Sequence, residues 1–397
     1  MVEENPIYEP REDSYLLKEV VESHAAGHVL EIGTGSGILS FSAANMASVK
    51  DVCAVDLNPK SIKYVKNQID KLNAGERKKI TVKKSNLFSA VKGQYDTIIF
   101  NPPYLPDDKN DKDMALYGGK NGYELIKKFL DDVNQYLTQP GIILLLFSSL
   151  TKKIKIDEMI EYNCFSSELI SSKKIDFETL YVYKIEKSTL LRDLEMKGFY
   201  EIKKFDRGKR GHIFKGLYRG ESVAIKAKNP TSEAYESINN EIKVLDYFRN
   251  IGFDFIPDVV CTGHNYFVYY FIEGDSMENF LLNSKKGNIL VIIKKLFDIC
   301  LAMDKEGYNK EEMHRPHKHI FISPDLKIKM IDFERAKETN KPKNITQLCQ
   351  YLTSKEITTK LSKKRISIDS DKLRKLSSNY KKNYSYKEVE SMKSLIK

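Results

Sequence analysis

Residues 28–46, HVLEIGTGSGILSFSAANM, set the fold of the first half of the chain. Residues 28–32 have the short apolar pattern of a buried strand, residues 33–37 contain three glycines in five positions, and residues 38–46 continue as an apolar helix. Glycines at a strand-to-helix turn allow backbone N–H groups and the helix N-terminus to approach a ligand closely. This turn alone does not identify the ligand, because several nucleotide cofactors use one.

Four polar residues lie at the ends of successive predicted strands. Glu31 and Asp56 end the first two strands, and Asn86 and Asn101 follow the next two. The carboxyl ends of parallel strands meet at one edge of an open α/β sheet, where such sheets bind ligands. Asp56 comes 25 positions after Glu31, a spacing at which a carboxylate can hold a ribose diol. Each residue alone is more often a cap or a turn, so their joint placement carries the prediction.

The glycine turn also indicates which ligand is bound. It reads Gly-x-Gly-x-Gly rather than Gly-x-Gly-x-x-Gly and follows an acidic residue, which favours S-adenosylmethionine over a dinucleotide. We expect Asn86 to bond the adenine amino group, Phe88 to flank the ring, and Asp13 or Ser14 to cap a first helix whose polar start faces the ligand. The candidate cofactor-binding residues of this half are Ser14, Glu31, Gly33, Thr34, Gly35, Gly37, Asp56 and Asn86.

The stretch Asn101-Pro102-Pro103-Tyr104 follows a buried strand and opens into a loop. The prolines fix φ and bias the residues before them to extended backbone, which keeps the loop out of a helix. The Asn101 carboxamide and a nearby backbone carbonyl can accept both N–H bonds of a planar amino group, and Tyr104 offers a flat face for stacking. These four catalytic candidates predict a grip that presents a nitrogen lone pair to a methyl donor. The alternative is a proline-rich turn that only stabilises the strand end.

The composition indicates a globular chain with more than one domain. Its 397 residues, 41% hydrophobic and 30% charged, suggest two or three domains. The sequence has no run of about 18 apolar residues, and its N-terminus has neither a basic start nor an apolar signal core. The five cysteines are scattered without C-x-x-C spacing. We therefore expect a cytoplasmic protein without a disulfide framework or a thiolate zinc site.

The net charge of +10 is concentrated in residues 351–397, which hold 13 lysines and arginines against 5 aspartates and glutamates. Basic clusters near Tyr380, Tyr384 and Tyr386 have the composition of a surface that tracks a phosphate backbone. This pattern favours a basic, helical C-terminal tail that binds tRNA. The alternative is a solvated helical face in a lysine-rich protein.

Residues 1 to about 187 resemble the archaeal and eukaryotic branch of the HemK-type glutamine methyltransferases, which modify translation termination factors. The matching pieces are Tyr8-Glu9-Pro10 with Glu12-Asp13-Ser14, the turn at 31–37, Asn101 to Pro106, and Gly118-Gly119 with Gly122. The resemblance implies a Rossmann-like class I methyltransferase fold with a mostly parallel seven-stranded sheet. Two strands near 165–173 and 178–185 are expected to finish this sheet as an antiparallel pair.

The same resemblance implies S-adenosylmethionine as methyl donor and a glutamine side-chain amide of a release factor as acceptor. It also implies a small zinc-binding activator subunit as partner. Direct displacement needs no catalytic base, because positioning and stacking supply the rate and the proton can leave after methylation. Enzymes that methylate exocyclic amino groups of nucleic-acid bases share the Asn-Pro-Pro-Tyr grip, so base methylation is the alternative function.

Residues 188–350 carry four elements in the order of a protein kinase. Gly208 and Gly211 belong to a stretch that resembles a glycine-rich phosphate loop, and Lys226 ends a Val-Ala-Ile-Lys strand whose lysine would pair with nucleotide phosphates. Glu241 is placed to pair with Lys226, and Asp332 starts Asp-Phe-Glu, where a magnesium-binding Asp-Phe-Gly is expected. The resemblance, closest to atypical kinases of the RIO and tRNA-threonylcarbamoylation-complex type, implies an α+β kinase-like domain that binds ATP with Mg²⁺.

The catalytic segment departs from the kinase pattern. His314 and His319 lie 18 and 13 positions before Asp332, at the places where kinases carry a catalytic Asp and a metal-binding Asn. If His314 is instead matched to the His of His-Arg-Asp, the catalytic position becomes Pro316, which cannot act as a base. Both alignments leave out the usual carboxylate, so the roles of base and second metal ligand are open.

Three hypotheses compete for this segment. His314 can act as the base of an unusual kinase, with a contribution from Glu312. The domain can instead be a pseudokinase that binds ATP as a regulatory ligand, or His314, His317 and His319 can hold a metal. The local pattern also resembles a group of predicted archaeal kinases, some related to kinases that phosphorylate a tRNA 2′-hydroxyl. The acceptor of the second half is therefore a protein or a tRNA, or the half only docks RNA.

Overall fold

The computed structural model describes residues 7–107, 116–207, 211–228 and 237–397. The chain divides into two compact units, Met1–Lys204 and Phe205–Lys397. Each unit has a cluster of buried hydrophobic side chains of its own. No helix in the described part of the chain has the length and apolar character needed to cross a lipid bilayer.

The division falls later than the predicted boundary at residue 187. A helix at Thr189–Met196 buries Leu194, and Lys187 forms an ion pair of 2.8 Å with Glu195 on that helix. Glu195 also accepts hydrogen bonds from two side chains earlier in the first unit. These contacts hold the helix at Thr189–Met196 to the first unit, and the division into compact units falls after Lys204.

The first unit is a sheet surrounded by helices. Its strands are β1 (Gly27–Ile32), β2 (Val49–Asp56), β3 (Ile80–Lys84), β4 (Tyr95–Phe100), β5 (Leu137–Ser148), β6 (Phe165–Lys174) and β7 (Thr179–Lys187). Its helices are α1 (Glu12–His24), α2 (Ile38–Ala44), α3 (Pro59–Ile69), α4 (Ala74–Lys79), α5 (Glu124–Asp132), α6 (Lys153–Tyr162) and α7 (Thr189–Met196). Within the described residues the sheet has seven strands in the order β3-β2-β1-β4-β5-β7-β6.

The sheet is mostly parallel, as the sequence predicts. Strands β1 to β5 run parallel to one another, and β7 is antiparallel to both β5 and β6. Ile32 at the end of β1 pairs with Val55 on β2 and with Phe100 on β4. This register brings the carboxyl ends of the three strands to one edge, at the point where the strand order reverses and open sheets bind ligands.

The second unit combines a small sheet with a largely helical part. Its strands are β8 (Phe199–Arg207), which crosses the boundary, β9 (Gly211–Tyr218), β10 (Glu221–Lys228), β11 (Val259–Gly263), β12 (Tyr266–Tyr270), β13 (Asp275–Ser276), β14 (Tyr308–Asn309), β15 (Ile320–Ile322), β16 (Ile328–Met330) and β17 (Lys337–Glu338). Its helices are α8 (Ser237–Asn250), α9 (Met277–Asn283), α10 (Lys286–Lys305), α11 (Asn344–Leu352), α12 (Lys355–Lys363), α13 (Ser370–Asn383) and α14 (Tyr386–Ser394). In the described residues, the largest sheet has the order β11-β12-β10-β9-β8.

Residues 351–397 do not form a separate tail. Helices α12, α13 and α14 place apolar side chains on one face, and these join the hydrophobic core of the second unit. Tyr380 is 1% exposed and its hydroxyl donates to Asp304 Oδ2 at 3.0 Å, and the Tyr384 hydroxyl donates to the Pro342 carbonyl. Two of the three tyrosines expected to face a nucleic acid are therefore used for packing, and Tyr386 is the exposed one of the three.

Candidate functional site

A cavity of about 970 Å³ lies at the carboxyl edge of β1, β2 and β4 in the first unit. Its volume falls within the range of small-molecule sites in proteins. The predicted site residues that line it are Ser14, Glu31, Gly33, Thr34, Gly35, Asp56, Asn86, Asn101, Pro102, Pro103 and Tyr104. Gly37 is not among the lining residues. It precedes α2 with a φ of 82°, and a Cβ there would collide with Phe41, so it shapes the turn.

Glu31 is 2% exposed, and its hydrogen bonds link the glycine turn to the first helix after it. Its Oε2 accepts hydrogen bonds from Thr34 Oγ1 at 2.7 Å and from the Ser40 hydroxyl. Burial raises the pKa of Glu31 to about 7, and the two hydroxyl donors oppose that rise. Neutral donors rather than cations therefore satisfy this carboxyl, and its contacts hold the turn in shape.

Asp56 is fixed at the cavity wall by backbone donors. The Gly35 N–H donates to Oδ2 at 2.8 Å, and the Asn58 N–H donates to Oδ1 at 2.7 Å. Burial raises the pKa of Asp56, although the backbone hydrogen bonds act against this effect. The carboxylate thus links the glycine turn to the end of β2, in the position where a ribose diol would be held.

The Asn101 carboxamide has a defined orientation. Its Nδ2 donates to Asp13 Oδ2 at 2.9 Å, and a carboxylate can only accept, so the amino side of the amide faces Asp13. The Tyr8 hydroxyl donates to the same carboxylate at 3.0 Å. Asn101 Oδ1 is buried and has no hydrogen-bond partner among the described residues. An acceptor in that state is suited to a ligand that brings an N–H donor.

Asp13 and Tyr8 are site residues whose roles the sequence did not indicate. The sequence suggested Asp13 or Ser14 as a helix cap, but α1 begins at Glu12 with Arg11 in the cap position and no side-chain cap bond. Asp13 is 4% exposed and lines the cavity instead. Burial and the Asp13 carboxylate raise the pKa of Tyr8, which keeps its hydroxyl protonated as a donor. Only the positions of these residues in the family motif offered a signal.

Two glycines hold the Asn-Pro-Pro-Tyr loop in place. A Cβ at Gly118 would overlap the Pro103 carbonyl, and a Cβ at Gly122, where φ is 82°, would overlap the Tyr104 carbonyl. The Gly118 N–H also donates to the Leu105 carbonyl at 2.9 Å. The Gly-Gly element of the sequence therefore gives the backbone the close approach that fixes the grip.

Phe88 does not flank the cavity as expected. Its ring is buried and stacks on Tyr136 with a centroid distance of 4.4 Å and on Phe129 at 5.5 Å. Leu87, which has a φ of 46°, lines the cavity beside the exposed Asn86. The tight backbone at Leu87 turns the following ring into the core, so Leu87 rather than Phe88 is the apolar side chain at this part of the cavity wall.

The second unit gathers three of the charged residues expected at a nucleotide site. Lys226 Nζ lies 2.6 Å from Glu241 Oε2 and 3.0 Å from Asp332 Oδ1. Burial alone would lower the pKa of Lys226, but Glu241 and Asp332 outweigh it and raise the pKa. The other Glu241 oxygen accepts from the Phe333 N–H at 2.9 Å, which links α8 to the segment that carries Asp332.

Lys310 is a fourth member of this cluster that the sequence did not indicate. It is 1% exposed and donates to the Ile331 carbonyl at 2.9 Å and to the Asp332 carbonyl. Its Nζ lies 4.4 Å from the centre of the Phe333 ring. Burial lowers the pKa of Lys310. No local pattern marks this lysine, because its partners are backbone atoms about twenty positions away.

The structure separates the two histidines proposed as catalytic. His319 Nδ1 lies 3.3 Å from Asp332 Oδ2, and burial together with Lys310 lowers the pKa of His319. His314 is exposed, with Nδ1 2.9 Å from the Glu311 carbonyl. It lines a different cavity of about 620 Å³ together with Glu312. Only His319 therefore reaches the Asp332 carboxylate.

The sequence also suggested a histidine metal site and a glycine-rich phosphate loop in the second half. No group of three or more His, Cys, Asp or Glu side chains that could hold a metal occurs in the described residues. The hypothesis that His314, His317 and His319 form a metal site is therefore wrong. Gly208 lies outside the described residues, and Gly211 begins β9 opposite Lys228, so the phosphate loop stays a prediction.

Comparison with known proteins places the similarity in part of the chain. The family model "Methyltransferase small domain" matches residues 12–162. A Methanocaldococcus jannaschii protein provisionally assigned as a protein N5-glutamine methyltransferase is 36% identical over 181 residues, which are 44% of this chain and 89% of that protein. The release factor glutamine methyltransferase of Koribacter versatilis is 28% identical over 149 residues, 34% of this chain and 52% of that protein.

A solved structure is also similar. The E. cuniculi Mtq2–Trm112 complex, described as responsible for methylation of the eRF1 translation termination factor, shares 26% identity with a TM-score of 0.37. The match covers 46% of this chain and 98% of that chain. Each of these similarities therefore extends over less than half of this chain.

Proposed function

The chain belongs to the HemK-type protein glutamine methyltransferases through its N-terminal part, and we propose that its acceptor is a glutamine of a translation release factor. S-adenosylmethionine is the methyl donor in this family, and the side-chain amide nitrogen of glutamine receives the methyl group. A relative that carries this acceptor in its name supports the release factor, although this chain spans only 52% of that relative's length.

The observation that carries the proposal is the unpaired, buried oxygen of Asn101. Asp13 occupies the amino side of the Asn101 amide, so the oxygen is left to accept an N–H of the substrate amide. A backbone carbonyl of the loop would accept the second N–H, and the Tyr104 ring would pack against the amide plane. Held in this way, the glutamine nitrogen keeps a fixed position and direction toward the methyl donor, which supplies rate through orientation.

The residues around the glycine turn fit S-adenosylmethionine. Asp56 presents a carboxylate fixed by two backbone N–H groups for the ribose hydroxyls, and Asn86 and Leu87 line the cavity where adenine would lie. When bound, the donor supplies an electrophilic methyl group on sulfur. The carbon–sulfur bond breaks as the carbon–nitrogen bond forms, and the proton leaves the nitrogen afterward, so no side chain in the cavity has to act as a base.

A pair of asparagine variants tests the assignment. We expect Asn101→Ala to bind S-adenosylmethionine within about 3-fold of wild type and to lose methyl transfer by roughly 100-fold or more, because it removes only the acceptor grip. The reciprocal control, Asn86→Ala, should weaken donor binding with a smaller effect on transfer at saturating donor. Isothermal titration and incorporation of labelled methyl groups give the two readouts. A wild-type transfer rate in Asn101→Ala would refute the grip.

The acceptor is identified by offering the labelled donor to a release factor, to ribosomal proteins and to tRNA in parallel. N5-methylglutamine in the digested release factor supports the proposal. Label in a ribosomal protein would keep glutamine methylation but change the acceptor, and label on a tRNA base would support base methylation instead. A small zinc-binding activator subunit, which the family resemblance implies, belongs to the same proposal. Its addition should raise the transfer rate.

A second candidate function is favoured by the ion pairs of Lys226 with Glu241 and Asp332. We propose that the second unit binds ATP and transfers its terminal phosphoryl group to a protein or a tRNA. A buried lysine held between two carboxylates matches the arrangement that kinases use beside nucleotide phosphates. Asp332 would share Mg²⁺ with those phosphates, since Mg²⁺ commonly takes one or two carboxylates plus substrate oxygens.

A further inference from the structure

Glu312 carries an unexplained carboxylate oxygen in the second unit. It lies on a short 3₁₀ turn, Glu311–His314, and its Oε2 is buried without a hydrogen-bond partner among the described residues. Lys310 Nζ is 4.0 Å from that oxygen, and Arg335 Nε is 3.9 Å from the other one. Both distances are too long for a hydrogen bond. Leaving a buried carboxylate oxygen unpaired is costly, so a missing donor is the natural explanation.

The position of Glu312 is fixed relative to the proposed nucleotide site. Lys310, two positions earlier, is bound to the backbone carbonyls of Ile331 and Asp332. Asp332 in turn contacts Lys226 through its side chain. The turn that carries Glu312 is thereby attached to the segment where phosphates would be held.

Glu312 also lies at the edge of a cavity. It lines the cavity of about 620 Å³ together with Arg335 and Lys337. Burial and the Asp332 carboxylate raise the pKa of Glu312, and the positive charges of Lys310 and Arg335 act against this rise. A carboxyl with a raised pKa and one oxygen without a donor, in a residue that lines a cavity, is suited to take a proton from a bound hydroxyl.

The two histidines are less suited to that role. His319 is already paired with Asp332 Oδ2 at 3.3 Å. The Nδ1 of His314 lies 2.9 Å from the Glu311 carbonyl, which can only accept, so Nδ1 carries the proton and Nε2 is the acceptor, but the ring is exposed at the edge of the same cavity. Of the candidates in this segment, Glu312 alone combines burial, a free acceptor atom and an attachment to Asp332.

We propose that Glu312 is the catalytic carboxylate of the second unit, which accepts the proton of the acceptor hydroxyl during phosphoryl transfer. The inference rests on the proposed nucleotide-binding function of this unit. In the step, the hydroxyl oxygen forms a bond to the γ-phosphorus of ATP while the bond from that phosphorus to the β–γ bridging oxygen breaks. The hydroxyl proton passes to Glu312 Oε2, and ADP leaves with the electron pair of the broken bond.

The test uses the full chain and four variants: Glu312→Gln, Glu312→Asp, His314→Ala and Lys226→Ala. Binding of Mg²⁺-ATP is measured by isothermal titration, and transfer of the labelled γ-phosphoryl group is measured to total tRNA, total soluble protein and water. We expect Glu312→Gln to keep nucleotide affinity within about 2-fold and to lose transfer by roughly 100-fold. Glu312→Asp should recover part of the rate, and the variant of the rival base, His314→Ala, should lose much less transfer than Glu312→Gln.

The outcomes separate the inference from its premise. Loss of nucleotide binding in Lys226→Ala with unchanged binding in Glu312→Gln supports both. A wild-type chain that binds no nucleotide refutes the kinase-like function itself. A chain that binds nucleotide but transfers to none of the three acceptors, or a Glu312→Gln variant that transfers at the wild-type rate, overturns the role of Glu312 and leaves nucleotide binding intact. If His314→Ala lost transfer instead, the base would be His314 rather than Glu312.

Discussion

The two candidate sites satisfy their buried polar groups in different ways. In the first unit, the Glu31 carboxyl is held by hydroxyl donors and the Asp56 carboxylate by backbone N–H groups. In the second unit, Lys226 forms ion pairs with both Glu241 and Asp332. The first site thus holds its acidic groups with neutral donors, Asp13 included, whereas the second has paired its charges with one another.

This difference bears on how each site meets a ligand. A neutral grip such as Asn101 exchanges one unpaired acceptor for a hydrogen bond, so a ligand gains from binding without having to displace a protein contact. A paired cluster is different, since removing one partner of a buried ion pair leaves an uncompensated charge. A ligand of the second site must therefore bring charges of its own, as a nucleotide with Mg²⁺ does.

The largest effect is expected from deleting residues 353–397. The deletion removes buried side chains from the core of the second unit, and each large apolar side chain contributes about 1.5–3 kcal/mol when buried. A whole domain is stable by only about 5–15 kcal/mol. The side chains at stake are Leu361, Leu373, Tyr380, Val389 and Met392. We expect the truncated chain to lose nucleotide binding and one thermal unfolding transition, and to keep methyl transfer.

The matched control for the deletion is Lys381→Ala with Lys382→Ala. Both lysines are exposed on α13, so this variant removes charge without removing core. If the deletion left the unfolding transition intact and both the deletion and the double variant weakened tRNA binding, residues 351–397 would be a tail after all. Measuring both proteins by circular dichroism and by the salt dependence of tRNA binding separates packing from charge.

The same contrast explains what the sequence could predict. Glu31, Asp56 and Asn101 were found because each lies at or just after the end of a strand, and strand order brings strand ends together. Asp13 was not assigned its role, because its contact with Asn101 joins residues 88 positions apart. In the second half, Lys226 and Glu241 followed from local motifs. Lys310 did not, since its partners are backbone carbonyls brought close only by the fold.

For residues 351–397, the composition indicated less packing than the structure shows. Residues 351–397 have a basic composition that suggests a solvated surface, but helical spacing of Leu373, Ser377 and Tyr380 gives one buried face on α13. Composition averages over both faces of a helix, whereas packing depends on one of them. The lysines are on the surface, as expected, and the apolar residues between them decide where the helices lie.

The next effect concerns the neutral grip of the first unit. We expect Asp13→Ala to slow methyl transfer by on the order of 100-fold, because the Asn101 amide loses the partner that turns its oxygen toward the substrate. Donor binding should change little, since Asp13 is placed against the acceptor side. Steady-state kinetics with a release-factor acceptor and titration of S-adenosylmethionine provide the two measurements.

Two conservative variants distinguish orientation from simple loss of packing. Asp13→Asn keeps an oxygen that can accept from Asn101 Nδ2, so it should recover much of the rate. Tyr8→Phe removes one donor to Asp13 and should cost only a few-fold. Equal losses in all three variants would show that Asp13 supports the local fold rather than the direction of the amide.

The smallest expected effect concerns the pH dependence of stability at Glu31. Burial raises the pKa of this carboxyl from 4.5 to about 7 in the folded chain, so the folded state favours the protonated form. The stability that Glu31 contributes is complete below pH 4.5 and is lost as the pH rises through 7.

Glu31→Gln has no such titration and keeps an oxygen that can accept from Thr34 and Ser40. The free energy of unfolding of the variant should therefore gain on that of the wild type between pH 4.5 and 7, by on the order of 2 kcal/mol. Thermal unfolding of the first unit across this pH range measures the gap. A constant gap would mean that the pKa of Glu31 is the same in the folded and the unfolded chain.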